Sequence, residues 1–195
     1  MISLHRGVAA VLAAILLAAP AAANDSVASM GAGGLVLQRT DGIEMRSEDL
    51  YVSAAEIRVR YRFYNRTERD IATIVAFPLP DLQGGIESDV AIEDPLRMPF
   101  TTMVNGRRVA TNIEQKATLD GVDHSDMMRG LGVPLTPRGE ATMQALASLP
   151  RPQIEMLIEM GLIEDRSWTD RGVRTLELMP LWTLKTTHYW TQVFP

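Results

Sequence analysis

The sequence has no cysteine among its 195 residues. The chain therefore has no disulfide, no thiolate nucleophile and no cysteine that could carry a lipid anchor. Zinc sites prefer sulfur and nitrogen ligands, and the chain offers only three histidines to such a site. We predict no metal and no cofactor, and we expect the fold to depend on its apolar core.

Positive charge is also scarce. The chain has 19 lysines and arginines against 24 acidic residues, which gives a formal net charge of −5. Proteins that bind nucleic acid gain most of their affinity by neutralising phosphates with basic side chains. The charge balance therefore argues against nucleic acid as a partner.

The N-terminus holds the one long hydrophobic run. Arg6 precedes an apolar stretch from Gly7 to Ala19, and Ala21, Ala22 and Ala23 supply small residues for cleavage. This order is typical of a secretory signal peptide, residues 1–23, cleaved after Ala23. The stretch is shorter than a usual membrane span, which disfavours an uncleaved anchor as the alternative. We expect an exported, periplasmic protein with no transmembrane segment after cleavage.

Residues 24–120 are dominated by strand patterns. In "AEIRVRYRFYN" the apolar residues of 57–63 alternate with arginines, which predicts a strand with one face on the core. Asn105-Gly106 predicts a hairpin turn, and "SED" at Ser47 to Asp49 is interpreted as another turn. Several short strands of this kind favour a mainly β fold: an antiparallel β-sandwich, Ig-like or an open barrel.

Residues 121–171 change to helical spacing and predict a small helical insertion. Thr136 with Pro137 is the expected start of one helix, and Gly161 the expected end of the next. Residues 172–195 then return to strand. The final stretch, "WTLKTTHYWTQVFP", alternates so that Trp182, His188 and Trp190 share one face.

Several of these stretches together resemble one family of exported bacterial proteins. They are "NDSVASMGAGGLVL", "IEMRSEDLYVSAAEIRVRYRFYN", "VAFPLPD", "GVPL" and the final stretch. In this order they resemble the family called domain of unknown function 4424. The resemblance implies export in a Gram-negative bacterium and carries no activity and no assigned catalytic residue. Members continue beyond the equivalent of Phe194-Pro195, so we expect this chain to be truncated and its sheet incomplete.

The first candidate site is the arginine row Arg58, Arg60 and Arg62. Guanidinium groups suit carboxylates and phosphates, so the row is a candidate for an anionic ligand. The alternative is a solvated strand face whose arginines lie opposite acidic residues of a neighbouring strand. Glu87, Asp89 and Glu93 are the acids we expect there.

A second candidate is "DGVDHSDMM", which contains Asp120, Asp123, His124 and Asp126. Oxygen ligands at alternate positions resemble a calcium loop superficially. The stretch lacks the turn glycine and the bidentate glutamate of such loops. A polar linker whose Asp and Ser residues cap a helix is the favoured interpretation.

The third candidate is the aromatic face of the final strand. His188 could act as a general base there, or Trp182 and Trp190 could form a stacking platform for a flat ligand. The alternative is a strand packed on the core with His188 in a structural role. No nucleophile elbow, phosphate loop, dinucleotide fingerprint or zinc-protease motif is present.

These observations predict a non-catalytic module of the cell envelope that binds an envelope partner or a small ligand. One alternative is a periplasmic hydrolase that uses His188 or His124 with a nearby carboxylate. Another is a structural subunit of an envelope assembly.

Overall fold

A computed structural model of the chain describes residues 26–31, 34–38, 42–85 and 95–195. The predicted signal peptide and the acidic residues Glu87, Asp89 and Glu93 lie outside the described residues. No helix within these ranges is long and apolar enough to cross a membrane.

The described residues form fifteen β-strands, most of them short. In chain order they are β1 Ser26–Gly31, β2 Gly34–Gln38, β3 Ile43–Val52, β4 Ile57–Asn65, β5 Ile71–Pro78, β6 Leu82–Gln83, β7 Thr102–Val104, β8 Arg107–Val109, β9 Asn112–Leu119, β10 Val122–Asp123, β11 Ile163–Asp165, β12 Trp168–Asp170, β13 Val173–Thr175, β14 Leu178–Pro180 and β15 Thr183–Phe194.

The main sheet is antiparallel, with the strand order β10-β9-β15-β5-β1-β2 and β6 beside the start of β15. Strand β15 lies at its centre. It pairs with β9 over Thr183–Tyr189 and with β5 over Thr187–Phe194. Four two-stranded sheets accompany the main sheet: β3–β4, β7–β8, β11–β14 and β12–β13.

The predicted fold class is confirmed: the structure is mainly β and antiparallel, with three short helices. The main sheet curls into a half-barrel, which corresponds to the open-barrel alternative. The Asn105-Gly106 turn is confirmed as well. Both residues have positive φ, 47° and 77°, as a two-residue turn between β7 and β8 requires.

The helices lie between β10 and β11 and cover one end of the main sheet. They are α1 Ser125–Gly130, α2 Glu140–Ala147 and α3 Arg151–Glu159. Their apolar residues form the main core with residues of β9, β11 and β14 and with Trp182, which directly precedes β15; its fully buried members include Met128, Leu146, Leu157 and Trp182. Burial of these side chains joins the helical insertion to the sheet.

The helix ends explain one correct prediction and one error. Gly161 follows α3 with φ of 72°, and Leu162 donates its N–H to the Leu157 carbonyl at 2.9 Å, as predicted for a glycine cap. Helix α2, in contrast, starts four residues after Thr136. Gly139 has φ of 89°, which is incompatible with a helix, so the predicted start at Thr136 and Pro137 is wrong.

The hairpin β3–β4 also differs from its prediction. Strand β4 alternates as expected, and Val59 and Tyr61 are half-buried, but Ile57 is 71% exposed. The prediction that this face lies on the core is therefore wrong toward the tip of the hairpin, where Ile57 lies.

The turn predicted at Ser47 to Asp49 is wrong too. These residues continue β3, and a β-bulge between Met45 and Ser47 absorbs the irregularity in the pattern. Cross-strand neighbours stabilise these polar residues in a strand. Glu48 lies opposite Tyr61, and Asp49 lies opposite Arg60.

Candidate functional site

Trp182 belongs to the core rather than to a surface. Its side chain is fully buried among the helices. Its indole Nε1 donates a hydrogen bond of 2.7 Å to the carbonyl oxygen of Leu135, in the segment before α2. A ligand could reach this ring only if the helices separated from the sheet.

His188 is enclosed at the centre of the sheet. It is 5% exposed, lies between Phe77 of β5 and Ile113 of β9, and stacks on Phe100 at 3.9 Å between ring centroids. The Thr111 hydroxyl lies 3.3 Å from Nδ1. Burial lowers the pKa of His188, so the ring is neutral at pH 7.

This environment provides little for acid–base chemistry. A general base must reach a substrate proton, and the His188 ring is covered by Phe100. Among the described residues, the hydrogen bond to Thr111 is the polar contact of this ring, and no carboxylate accompanies it.

Trp190 lies on the same face of β15 as His188 but in a different environment. It is partly exposed, and it lies opposite Val75 of β5. Its Nε1 is buried without a hydrogen-bond partner among the described residues. Further along, Phe194 meets Phe63 of β4 edge to face at 5.7 Å. Trp182, His188 and Trp190 therefore share a face, as predicted, but each has separate surroundings and they do not line one cleft.

The arginine row occupies one face of the β3–β4 hairpin. On β3, Tyr51 lies opposite Arg58, Asp49 opposite Arg60, and Ser47 opposite Arg62. Strand β3 thus supplies a single directly opposed acid, Asp49. The acids predicted beside the row, Glu87, Asp89 and Glu93, lie outside the described residues, so that prediction stays untested.

The three arginines differ in how they are neutralised. Arg58 is ion-paired with Glu56 of the hairpin turn, and its guanidinium lies 5.1 Å from the centre of the Tyr51 ring. Neither Arg60 nor Arg62 has a carboxylate within 4.0 Å in the described part of the chain. Two exposed cations on alternate residues of β4 thus have no ion-pair partner among the described residues.

A shallow depression of about 140 Å³ lies at this face, lined by Asp49, Leu50, Tyr51, Arg58 and Arg60. Pockets that bury small ligands are usually about 300 Å³ or larger and mostly enclosed. The depression is too small and open for such a ligand.

The opposite face of the hairpin is an apolar surface that the sequence interpretation missed. Leu50 is 63% exposed, Val52 64% and Ile57 71%. Toward the base, Tyr61 stacks on Phe63, and Phe63 contacts Phe194 of the main sheet. The alternation in the sequence identified this face, but alternation cannot show whether a core covers it.

The stretch "DGVDHSDMM" has a structural role. Asp120 and Gly121 form the positive-φ turn between β9 and β10. Burial opposes ionisation of Asp123, but hydrogen bonds from the Ser125 hydroxyl and N–H outweigh it and lower the pKa of this carboxyl. His124 precedes α1 without a side-chain capping bond. No group of three potential metal ligands occurs within the described ranges.

Together these features define a class of protein: a cysteine-free, mainly β domain with a helical cap and an amphipathic hairpin open on both faces. The model of one protein family, domain of unknown function DUF4424, matches residues 23–195. The chain belongs to this family. Searches of curated proteins and of solved structures found no match.

Proposed function

We propose that this chain is an exported, non-catalytic binding module of the periplasm that contacts another envelope component through the β3–β4 hairpin. The observation that carries the proposal is the hairpin itself, which exposes an apolar face and a cationic face at once. Isolated two-stranded hairpins are marginally stable in water, and exposed apolar patches commonly mark interaction sites.

Export is supported by the sequence order of Arg6, the apolar stretch and the small residues that end at Ala23. A non-catalytic role is supported by the surroundings of His188, which are apolar and closed. A hydrolase would need that ring, or His124, to share a proton with a carboxylate or nucleophile in contact with substrate.

Site-specific photo-cross-linking in cells tests the proposal. A photoreactive phenylalanine analogue replaces Tyr51, which is 52% exposed on the hairpin. The matched control replaces Trp168, which is 50% exposed on the separate β12–β13 hairpin. We expect a discrete light-dependent adduct from the Tyr51 position and none from the Trp168 position.

The same cells report on export. Periplasmic extracts should contain the chain, with an N-terminus at Asn24. Absence of the Tyr51 adduct, or equal adducts from both positions, would contradict a specific role for the hairpin. A chain retained in the cytoplasm would contradict the proposed location.

A further inference from the structure

We propose that the open edge of β4 binds an extended segment of another protein that carries a carboxylate at every second residue, with apolar residues between. This inference rests on the proposed function and names the chemistry of its partner. It is a case of β-strand addition, in which a peptide pairs its backbone with a free sheet edge.

The two edges of the hairpin are not equivalent. Strand β3 contains the bulge between Met45 and Ser47, and a bulge twists an edge and interrupts its ladder. Strand β4 runs for nine residues, and no strand pairs with its other edge in the described part of the structure. This edge, which has no strand neighbour within the described ranges, is therefore the better template for an added strand.

The side chains of β4 select the partner's charge. Residues directly opposite on adjacent strands have Cβ atoms about 5 Å apart, so an added strand places alternate side chains beside Arg58, Arg60 and Arg62. Arg60 and Arg62 have no ion pair within the described ranges. The guanidinium fork accepts a carboxylate in two parallel hydrogen bonds, which favours acidic residues at those positions.

The other face of β4 selects the residues between the acids. Ile57, Val59, Tyr61 and Phe63 lie on that face, and an added strand would extend it with its own alternate residues. Apolar side chains there would cover part of the exposed surface around Ile57. Because side chains alternate between the two faces of a strand, one register of the added strand places its acids beside the arginines and its apolar residues beside the apolar face.

The arginines also disfavour a second copy of this chain at the same edge. A two-fold antiparallel pairing of β4 with itself, centred on Arg60, would place Arg60 opposite Arg60 and Arg58 opposite Arg62. Like charges directly opposite are destabilising. Charged side chains on an edge are a common means of preventing self-association.

The test uses a rhodamine-labelled peptide of alternating glutamate and valine, matched to the nine residues of β4. Its binding to the mature chain is followed by fluorescence anisotropy at low ionic strength. We expect saturable binding that weakens with added salt, and weaker binding of a peptide with the same composition in two blocks.

Charge-reversal variants locate the site. Arg60→Glu with Arg62→Glu should weaken binding by about tenfold or more, because two attractions become repulsions. The matched control is Arg107→Glu with Arg108→Glu, which changes the net charge equally on the exposed hairpin β7–β8. The control should bind as the unmodified chain does, and equal losses in both variants would overturn the proposal.

Backbone methylation distinguishes edge pairing from charge attraction alone. In an extended peptide, the N–H groups of odd and even residues point to opposite edges. N-methylation of one set therefore removes the hydrogen-bond donors from one edge of the peptide only. We expect one of the two to lose binding and the other to retain it, and equal binding of both would overturn the edge model.

Two further outcomes would assign the edge to another occupant. If replacing Glu87, Asp89 and Glu93 with serine strengthens peptide binding, the chain's own acidic segment competes for β4. If the chain forms a dimer that the peptide dissociates, a second copy occupies the edge. Either result overturns the proposal, and so does failure of the peptide to bind. The cross-link from Tyr51 tests the hairpin's role independently, because it does not require this chemistry.

Discussion

Replacing Trp182 and Trp190 in turn by phenylalanine should separate two residues that the sequence makes equivalent. The alternation in the sequence assigns both to one face, although Trp182 directly precedes β15. Trp182 is fully buried and donates to the Leu135 carbonyl, whereas the Nε1 of Trp190 has no partner among the described residues. The two substitutions remove the same atoms, so any difference in their effect on stability must come from the different environments of Trp182 and Trp190.

The magnitudes follow from these contacts. Trp182→Phe leaves a buried carbonyl without its donor and a gap in the core, which together cost about 2–4 kcal/mol. Trp190→Phe loses some packing but also removes a buried N–H without a partner, so the free energy of unfolding should stay within about 1 kcal/mol of the original. The larger loss is a substantial fraction of the stability of a typical domain, about 5–15 kcal/mol.

Urea unfolding of the mature chain, followed by far-ultraviolet circular dichroism, measures both changes by linear extrapolation. Equal slopes with different midpoints would show that stability alone has changed. The reasoning fails if Trp182→Phe costs less than Trp190→Phe, or if the two lie within experimental error of each other.

Three other predictions have defined outcomes. Burial lowers the pKa of His188 below 6.5, so the unfolded chain binds a proton before the folded chain does, and stability should decline as the pH falls from 6.5 toward that lower pKa. His188→Phe should lessen this decline in urea midpoints measured on both sides of pH 6.5, and an unchanged decline would contradict burial of the ring. Gly84→Ala places a Cβ 2.4 Å from the Pro180 carbonyl oxygen and should cost about 1–3 kcal/mol in thermal unfolding, whereas Gly130→Ala, with open space around it, should not destabilise. Asn65→Ala removes hydrogen bonds to the carbonyls of Arg69 and Phe194 and should cost about 2–3 kcal/mol. Hydrogen exchange in β4 no faster than in the unmodified chain would show that Asn65 does not anchor the hairpin.

Local sequence patterns predicted where the strands, turns and helix ends lie better than they predicted what packs against them. The alternation of β4, the Asn105-Gly106 turn and the glycine after α3 each depend on neighbouring residues, and all were correct. The start of α2 was wrong because Thr136 and Pro137 are good local signals that the backbone of Gly139 overrides. The bulge in β3 was missed because an inserted residue shifts the period, and polar residues after it then resemble a turn.

The candidate site depended on contacts that no local pattern specifies. Sequence placed Trp182, His188 and Trp190 on one face correctly, but burial of the first and the stacking of Phe100 on the second come from segments distant in the chain. The arginine row was identified from spacing alone. Its pairing with β3 follows from the short turn that joins the two strands of the hairpin.

The attachment of the hairpin at Asn65 has a mechanical consequence. The side-chain amide of Asn65 donates to the carbonyl of Arg69, in the turn after β4, and to the carbonyl of Phe194 at the end of β15, and Phe63 contacts Phe194 edge to face. From this base the ten-residue β3 reaches roughly 30 Å, at about 3.3 Å per residue. A rotation of about 10° at the base therefore sweeps the tip through roughly 5 Å. For any such rotation Arg58, near the tip, moves further than Arg62, near the base, because the displacement grows with the distance from Asn65.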